Sequence, residues 1–407
     1  MTTLFIHGGR VLDTETLNLS PVQSILIQEG RIHAMGPDLI APVGAEQLDA
    51  SGLTLMPGMI DCHVHVVASS YHLGEVARQP NVLSTLRSLP IMEGMLMRGF
   101  TTVRDAGGAD AAMAEATRTD LIRGPRIFPA GRALSQTGGH GDFRQRNDVL
   151  EPCYCSNKVG ALARVVDGVE AIRLAVREEI LKGARQIKIM ASGGVASPSD
   201  PIHYLGYSEP EIRAAVDEAA HAATYVMAHA YTPAAIRRAV EYGVRTIEHG
   251  NLVDEETARF MQARGAYMVP TLITYEALAN EGASLGLPAA SVAKIESVRG
   301  AGLKALEILA KAGVRMGLGT DLLGESQRLQ SDELMLRARV LGNGPTLQQA
   351  TLIGAEILGQ TGELGVLKPG AIADLLAVDG NPLQDISVLQ GQGERLRFIL
   401  KDGKRYK

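Results

Sequence analysis

Leu55-Met-Pro-Gly-Met-Ile-Asp-Cys-His63-Val-His65-Val66 is an apolar, strand-like run that closes on two histidines one residue apart. Side chains two apart on a strand share a face, so both imidazoles point the same way. Seven further strand-like runs follow, over 101–105, 126–130, 186–191, 225–230, 246–249, 267–272 and 315–320. Helix signals lie between several of them. Ser208-Glu-Pro-Glu211 is a capping box with proline in the first turn. Thr232-Pro233 opens a helix that Gly243 ends, Asp254-Glu-Glu opens one that ends at Gly265, and Gly313 closes a long one over 303–312. Eight alternating units predict an α/β fold, a (β/α)8 TIM barrel with its active site at the C-terminal strand ends.

The two chain ends read differently. Short strands and turns fill the first fifty residues, and 373–378 and 396–403 repeat that style. Residues 1–54 and 365–407 are expected to pair into a small β-sandwich beside a barrel over 55–364. One long irregular stretch, 132–158, follows the third strand, where loops of that length usually act as lids or binding loops.

At 407 residues the chain is long enough for one large barrel and an appendage. A formal charge of −5 with interspersed signs and no basic stripe argues against a nucleic-acid partner. No apolar run nears the roughly 20 residues that span a bilayer. The opening Met1-Thr-Thr-Leu-Phe-Ile-His7 has no basic region before an apolar stretch, so a cytoplasmic protein is expected. A homo-oligomer is expected as well. Cys62, Cys153 and Cys155 are an odd set without disulfide spacing and read as reduced thiols, Cys62 packed in its strand.

Six residues end these runs: His63, His65, Lys188, His229, His249 and Asp321. Alone, His-x-His is a weak signal. A barrel, however, gathers all six strand ends around one axis, and buried polar groups need partners. Four imidazoles, a carboxylate and an amine suffice for two divalent metal ions, with zinc preferred by nitrogen and oxygen donors. Lys188 lies among apolar neighbours in Gln186-Ile-Lys-Ile-Met-Ala191. Beside two dications its ammonium is repelled and desolvated, so its pKa is expected to fall. The neutral amine can react with CO2 to give a carbamate long enough to bridge two metals.

The run Pro57–His65, Lys188, His229, His249, Gly319-Thr-Asp321 and the closing Leu367-Lys-Pro-Gly-Ala-Ile-Ala-Asp374 together resemble the amidohydrolase superfamily over nearly the whole chain. Gly138-Gly-His140-Gly141 and His229-Ala-Tyr231 resemble its prolidase-like branch of metal-dependent dipeptidases, which is related to imidazolonepropionase. The resemblance implies that His63, His65 and Asp321 hold one metal, that His229 and His249 hold the other, and that carbamylated Lys188 bridges them. It also implies that Tyr231 binds the substrate α-carboxylate through its phenol. Asp321 is expected to shuttle a proton from the nucleophile to the leaving nitrogen. His140, in a glycine-rich loop, is expected to donate to the developing oxyanion.

The expected reaction is hydrolysis of a small peptide substrate, an Xaa-Pro dipeptide. Its tertiary amide demands a compact pocket, placed near 271–275. Alternatives keep the metals and change the substrate. An Xaa-Arg or Xaa-Lys dipeptidase or carboxypeptidase would use Glu276 and Glu281 as its acidic pocket. An N-acyl amino acid hydrolase and a cyclic amide hydrolase complete that set. A non-catalytic scaffold of the same fold predicts gaps among the six positions, and there are none. Arg104-Asp105 reads as an internal ion pair, and His203, Tyr204 and Tyr207 as pocket-lining. His72 and His221 read as surface or packing, Met190, Met227 and Met268 as core, and Ser192-Gly-Gly194 as no P-loop.

Overall fold

The computed structural model describes residues 3–144, 158–195, 200–282, 284 and 289–407. Five strands come first: β1 (Leu4–Asp13), β2 (Asn18–Gln28), β3 (Arg31–Gly36), β4 (Glu46–Asp49) and β5 (Thr54–Pro57). Then β6 (Met59–Val64), β7 (Phe100–Asp105) and β8 (Arg126–Phe128) form one parallel arc. A second parallel arc holds β9 (Ala133–Ser135), β10 (Ala163–Val165), β11 (Ile187–Met190), β12 (Val226–Ala230), β13 (Thr246–His249) and β14 (Tyr267–Val269). Its order is β10-β9-β11-β12-β13-β14. Helices intervene, so the fold is mixed α/β. The chain closes with β15 (Leu375–Val378), β16 (Leu396–Lys401) and β17 (Lys404–Arg405).

Both chain ends share one sheet, ordered β17-β16-β15-β5-β1-β2-β3 with β4 on β1. All eight strands are hydrogen-bonded into one sheet. The cause is β5, which pairs parallel with β1 and antiparallel with β15. Alternation sorts β15 between two cores. Leu375 and Ala377 join Ile6, Ile25, Ile27 and Leu400, whereas Leu376 and Val378 pack with Met59, Phe100 and Val103 of the first arc.

The opening histidine run is therefore two strands. Thr54–Pro57 belongs to the end sheet, Met59–Val64 to the arc, and Gly58 lies between them. A Cβ at Gly58 would collide with the Thr101 side chain, so only glycine passes there. The expected eighth strand is an extended segment rather than a ladder, with one bridge between Met268 and Met316. It still bonds on both sides. Met268 N–H donates to Arg315 O at 3.0 Å and Gly317 N–H to Met268 O at 2.9 Å. Cys62 N–H donates to Leu318 O at 2.7 Å and Asp321 N–H to His63 O at 2.8 Å. A Cβ at Gly319 would lie 2.5 Å from Val269 and 2.9 Å from His63 Cβ, so this segment threads a gap that side chains cannot share. At the other seam Arg185 N–H donates to Pro129 O at 2.7 Å and the Gln186 amide to Phe128 O at 2.8 Å.

Helix signals translate directly. Glu209–His221 starts where Glu211 accepts from the Ser208 N–H at 2.8 Å. Thr232 caps Pro233–Glu241, and Asp254 caps Glu255–Ala263 by accepting from Thr257 N–H at 2.7 Å. The long helix runs further than expected, over Ala289–Ala312. The 132–158 stretch is less irregular than expected at its start, where β9 joins the second arc beside β11. Cys153 and Cys155 lie outside the described residues. Cys62 is buried beside Ile60 and Val269. Among the described residues no helix is long and apolar enough to cross a membrane.

Candidate metal centre

β6 carries His63 one residue before its end, with His65 just beyond it, Lys188 lies within β11, β12 carries His229 and β13 ends on His249. Asp321 follows the bridging segment of the eighth unit. These elements bring the predicted residues to one place. The ring centroids of His63 and His249 are 5.0 Å apart, those of His229 and His249 4.6 Å, and those of His63 and His65 5.5 Å. Asp321 Oδ1 lies 3.5 Å from His63 Nε2 and 3.3 Å from His65 Nε2, and Oδ2 lies 3.9 Å from His249 Nδ1. Donor atoms of His63, His249 and Asp321 all fall within 4.8 Å of one another.

Each imidazole spends one nitrogen on the protein. His63 Nδ1 lies 2.8 Å from Glu248 Oε2, and His65 Nδ1 lies 2.8 Å from Gly107 O. His229 Nε2 meets Gly193 O at 3.2 Å, and His249 Nδ1 meets Thr271 Oγ1 at 2.8 Å. A carbonyl or carboxylate can only accept, so in the first three rings that nitrogen carries the hydrogen. The remaining nitrogen keeps its lone pair, which is how outer partners prepare histidines for a metal. Burial lowers the pKa of His63, His229 and His249 well below the usual value, with further lowering from neighbouring cations. Burial opposes charge on His65 too, but its contact with Asp321 overrides that and raises it. Burial also works against ionising Asp321, yet His63 and His65 hold its carboxyl below the ordinary range.

Lys188 is 2 % exposed, and no hydrogen bond or ion pair to its amine occurs among the described residues. Burial brings its pKa down to about 8, against the pull of Glu248 and Asp321. An unpartnered amine that burial has moved toward neutrality fits a carbamate-forming role. The donor set thus fits a divalent metal on chemistry, and His63, His249 and Asp321 fit one on proximity.

Strain marks the same place. His249 has φ 73° and Asp321 φ 52°, a left-handed backbone that costs a non-glycine residue about 1–3 kcal/mol. Asp61 helps hold it, accepting from His63 N–H at 3.1 Å, Thr320 N–H at 3.2 Å and the Thr320 hydroxyl at 2.7 Å.

His140 reaches the cluster from its loop and stacks on His229 with ring centroids 4.3 Å apart. A Cβ at Gly194 would strike the His140 ring, so the Ser192-Gly-Gly194 run makes room for it. Tyr231 stands edge-on to His229 at 4.9 Å and stacks on His249 at 5.4 Å. Its hydroxyl meets that of Tyr275 at 2.8 Å. Val195, Leu278, Ile295 and Val298 pack with both tyrosines as an apolar wall. The segment expected near the pocket therefore faces the centre through Thr271 and Tyr275.

Several expectations need correcting. Arg104 does not pair with Asp105, because neighbours on a strand point to opposite sides. It donates to Glu248 at 2.9 and 3.0 Å, and Asp105 accepts from the N–H groups of Val66, Gly107 and Ala109. Tyr207 is core, its hydroxyl donating to Val166 O at 3.0 Å, while His203 and Tyr204 are exposed. Glu276 is taken by Arg299 at 2.7 and 2.9 Å, and Glu281 by Arg328, so neither forms an acidic pocket. His72 and His221 are exposed, and Met190, Met227 and Met268 are core, as read. A second cluster, Asp217, Glu218 and His221, is a surface group whose carboxylates serve Arg173 and Arg177.

Two residues escaped the sequence reading. Glu248 is an acid inside a fully buried strand, which is a usable signal. Asp200, whose Oδ2 lies 3.2 Å from His140 Nδ1 and accepts from Gly194 N–H at 2.8 Å, sits in a loop with no pattern to find it.

Known proteins share this arrangement of sequence and fold. The crystal structure of a prolidase complexed with N-methylphosphonate-L-proline matches with a TM-score of 0.98 and 58 % identity over the whole of both chains. A crystal structure of an Xaa-Pro dipeptidase with methionine in its active site matches at 0.88 and 28 %, again over all of both chains. Ochratoxinase from Aspergillus niger is 34 % identical over 375 residues, which is 87 % of this chain and 75 % of that protein. The model of the amidohydrolase family matches residues 54–405. On that match, with prolidase-like structures among its neighbours, the chain belongs to the amidohydrolase family.

Proposed function

We propose that this amidohydrolase is a binuclear, metal-dependent dipeptidase that cleaves Xaa-Pro. The observation that carries the reading is the set of four imidazoles, each with one nitrogen committed to the protein, around Asp321 and an unpartnered Lys188. In this reading His63, His65 and Asp321 hold one ion, His229 and His249 the other, and Lys188 as its carbamate joins them. On the same reading β6, β7, β8, β11, β12, β13, β14 and residues 315–320 are the eight strands of one barrel over 55–364, which the hydrogen bonds of 315–320 to β14 and β6 support.

Two zinc ions held there would acidify a shared water and polarise the scissile carbonyl. Asp321, ionised and against His65, takes the proton from the nucleophile and returns it to the proline nitrogen. That transfer matters because a tertiary amide leaves as a strongly basic secondary amine. His140, stacked on His229 and braced by Asp200, donates to the carbonyl oxygen as charge builds. Tyr231 donates to the α-carboxylate, and the apolar wall beside it suits a proline ring.

The prolidase neighbours at 58 % and 28 % identity support this substrate class. Occupation of Glu276 and Glu281 by arginines removes the support for an Xaa-Arg or Xaa-Lys enzyme. A kinetic panel of Xaa-Pro, Xaa-Arg, Xaa-Lys and N-acetyl amino acids tests the reading. The highest kcat/KM is expected on Xaa-Pro, and a preference for any other class overturns it.

A further inference from the structure

The long helix Ala289–Ala312 packs Ile295 and Val298 beside Tyr231 and Tyr275. Lys294, next to Ile295, reaches from that helix into the loop after β11. Its ammonium donates to Asp200 O at 2.9 Å and to Gly194 O at 3.2 Å. The same two residues are joined a second time, because Gly194 N–H donates to Asp200 Oδ2 at 2.8 Å. That carboxylate oxygen also faces His140 Nδ1 at 3.2 Å. Lys294 therefore grips Asp200 by its main chain and leaves the carboxylate to the imidazole. Two carbonyl oxygens converging on one point repel each other, and a cation between them turns the repulsion into attraction.

There is little slack on the other side of this junction. A Cβ at Gly194 would strike the His140 ring, and one at Gly193 would strike Pro201 O. Asp200 is buried, so a shift of its main chain changes the contact with His140 rather than moving into solvent. Burial works against the Lys294 ammonium, while the charge on Asp200 supports it. Other contacts hold the helix independently. Asn251 Nδ2 donates to Val298 O at 3.1 Å, and Arg299 pairs with Glu276 at 2.7 Å. We propose that Lys294 is a positioning residue for His140: by drawing the Gly194 and Asp200 carbonyls together, it fixes the carboxylate that braces the ring. The inference rests on the oxyanion role given to His140 above. A lysine that only tied the helix to the barrel would be blind to whether His140 is present.

The test compares zinc-loaded Lys294→Met, His140→Ala and the double variant on Xaa-Pro. Lys294→Met is expected to lower kcat about tenfold, short of the 10²–10³-fold expected for His140→Ala, with KM changed less than about twofold and zinc content unchanged. Adding Lys294→Met to His140→Ala should cost nothing more, because the lysine acts through the ring. Lys294→Arg, which keeps the charge and the donors, should stay within about threefold of wild type. By calorimetry Lys294→Met should weaken N-methylphosphonate-L-proline by about the factor lost in kcat and L-proline by less than about twofold. Should Lys294→Met fold poorly, Lys294→Gln is expected to show the same split at a smaller loss. Undiminished kcat, a loss confined to KM, equal weakening of both ligands or an additive loss in the double variant overturns the role of Lys294 alone. Full kcat in His140→Ala removes the oxyanion reading of His140, and this inference with it.

Discussion

Replacing Glu248 by glutamine tests how the metal cage is preorganised. One carboxylate serves four contacts. Oε1 accepts from Arg104 Nη2 at 2.9 Å and the Thr246 hydroxyl at 2.8 Å, while Oε2 accepts from Arg104 at 3.0 Å and His63 Nδ1 at 2.8 Å. An amide has one accepting atom. With its oxygen toward Arg104, its NH2 faces His63 and forces the ring hydrogen onto Nε2, the nitrogen directed at Asp321. Turned the other way, it leaves a guanidinium that is 0 % exposed facing a donor. The first arrangement costs the metal and the second costs the fold. Loss of a partner from a buried ion pair costs about 3–5 kcal/mol, and loss of an outer partner to a metal ligand weakens metal binding about 10–100-fold. At about 2 °C per kcal/mol the metal-free variant should melt roughly 6–10 °C lower. The assays are zinc affinity by chelator competition and thermal melting of the stripped protein. Thr246→Val, which deletes one neutral donor, serves as the control at about 1 kcal/mol. Wild-type zinc affinity together with a melting point within about 1 °C would refute the reasoning.

Lys188→Ala should lose metal and activity together, with partial rescue of both by short carboxylic acids, measured by metal analysis and turnover; full activity without rescue refutes the bridge. With the Lys188 pKa at about 8, the amine is ammonium in about nine molecules of ten at pH 7 and largely neutral above pH 9. Zinc reloading of stripped protein at fixed dissolved CO2 should therefore quicken between pH 7 and 9 and then level off, and a flat profile contradicts this. His140→Ala should lower kcat about 10²–10³-fold, in keeping with loss of one oxyanion donor. Asp200→Asn, which leaves the ring but weakens its brace, should lower kcat about tenfold with little change in KM; a pure KM effect would assign both residues to binding.

The six proposed ligand positions stood out because each is a polar side chain at or near the end of an apolar run, or within one in the case of Lys188, where burial alone gives no reason for it. Glu248 carried the same signal and went unread, since its neighbour His249 already explained that strand. The Arg104–Asp105 pairing failed on a rule visible in the sequence, namely the alternation of strand faces. Other features depend on tertiary closeness. Residues 315–320 bond to β14 and β6 without forming a ladder, because glycines 317 and 319 let them pass where side chains would clash. The strands of the two chain ends join into one sheet because β5 pairs on both edges, through Thr54 and Leu55 to β1 and through Thr54–Pro57 to β15. Asp200 and the left-handed turns at His249 and Asp321 have no local sequence signature.

Metal content is the most direct measure of the central claim. Zinc-loaded protein should hold two equivalents per chain by plasma mass spectrometry. Chelation should abolish Xaa-Pro hydrolysis, and activity should return in step with bound zinc. Fewer than one equivalent, with undiminished hydrolysis after chelation, would contradict the account.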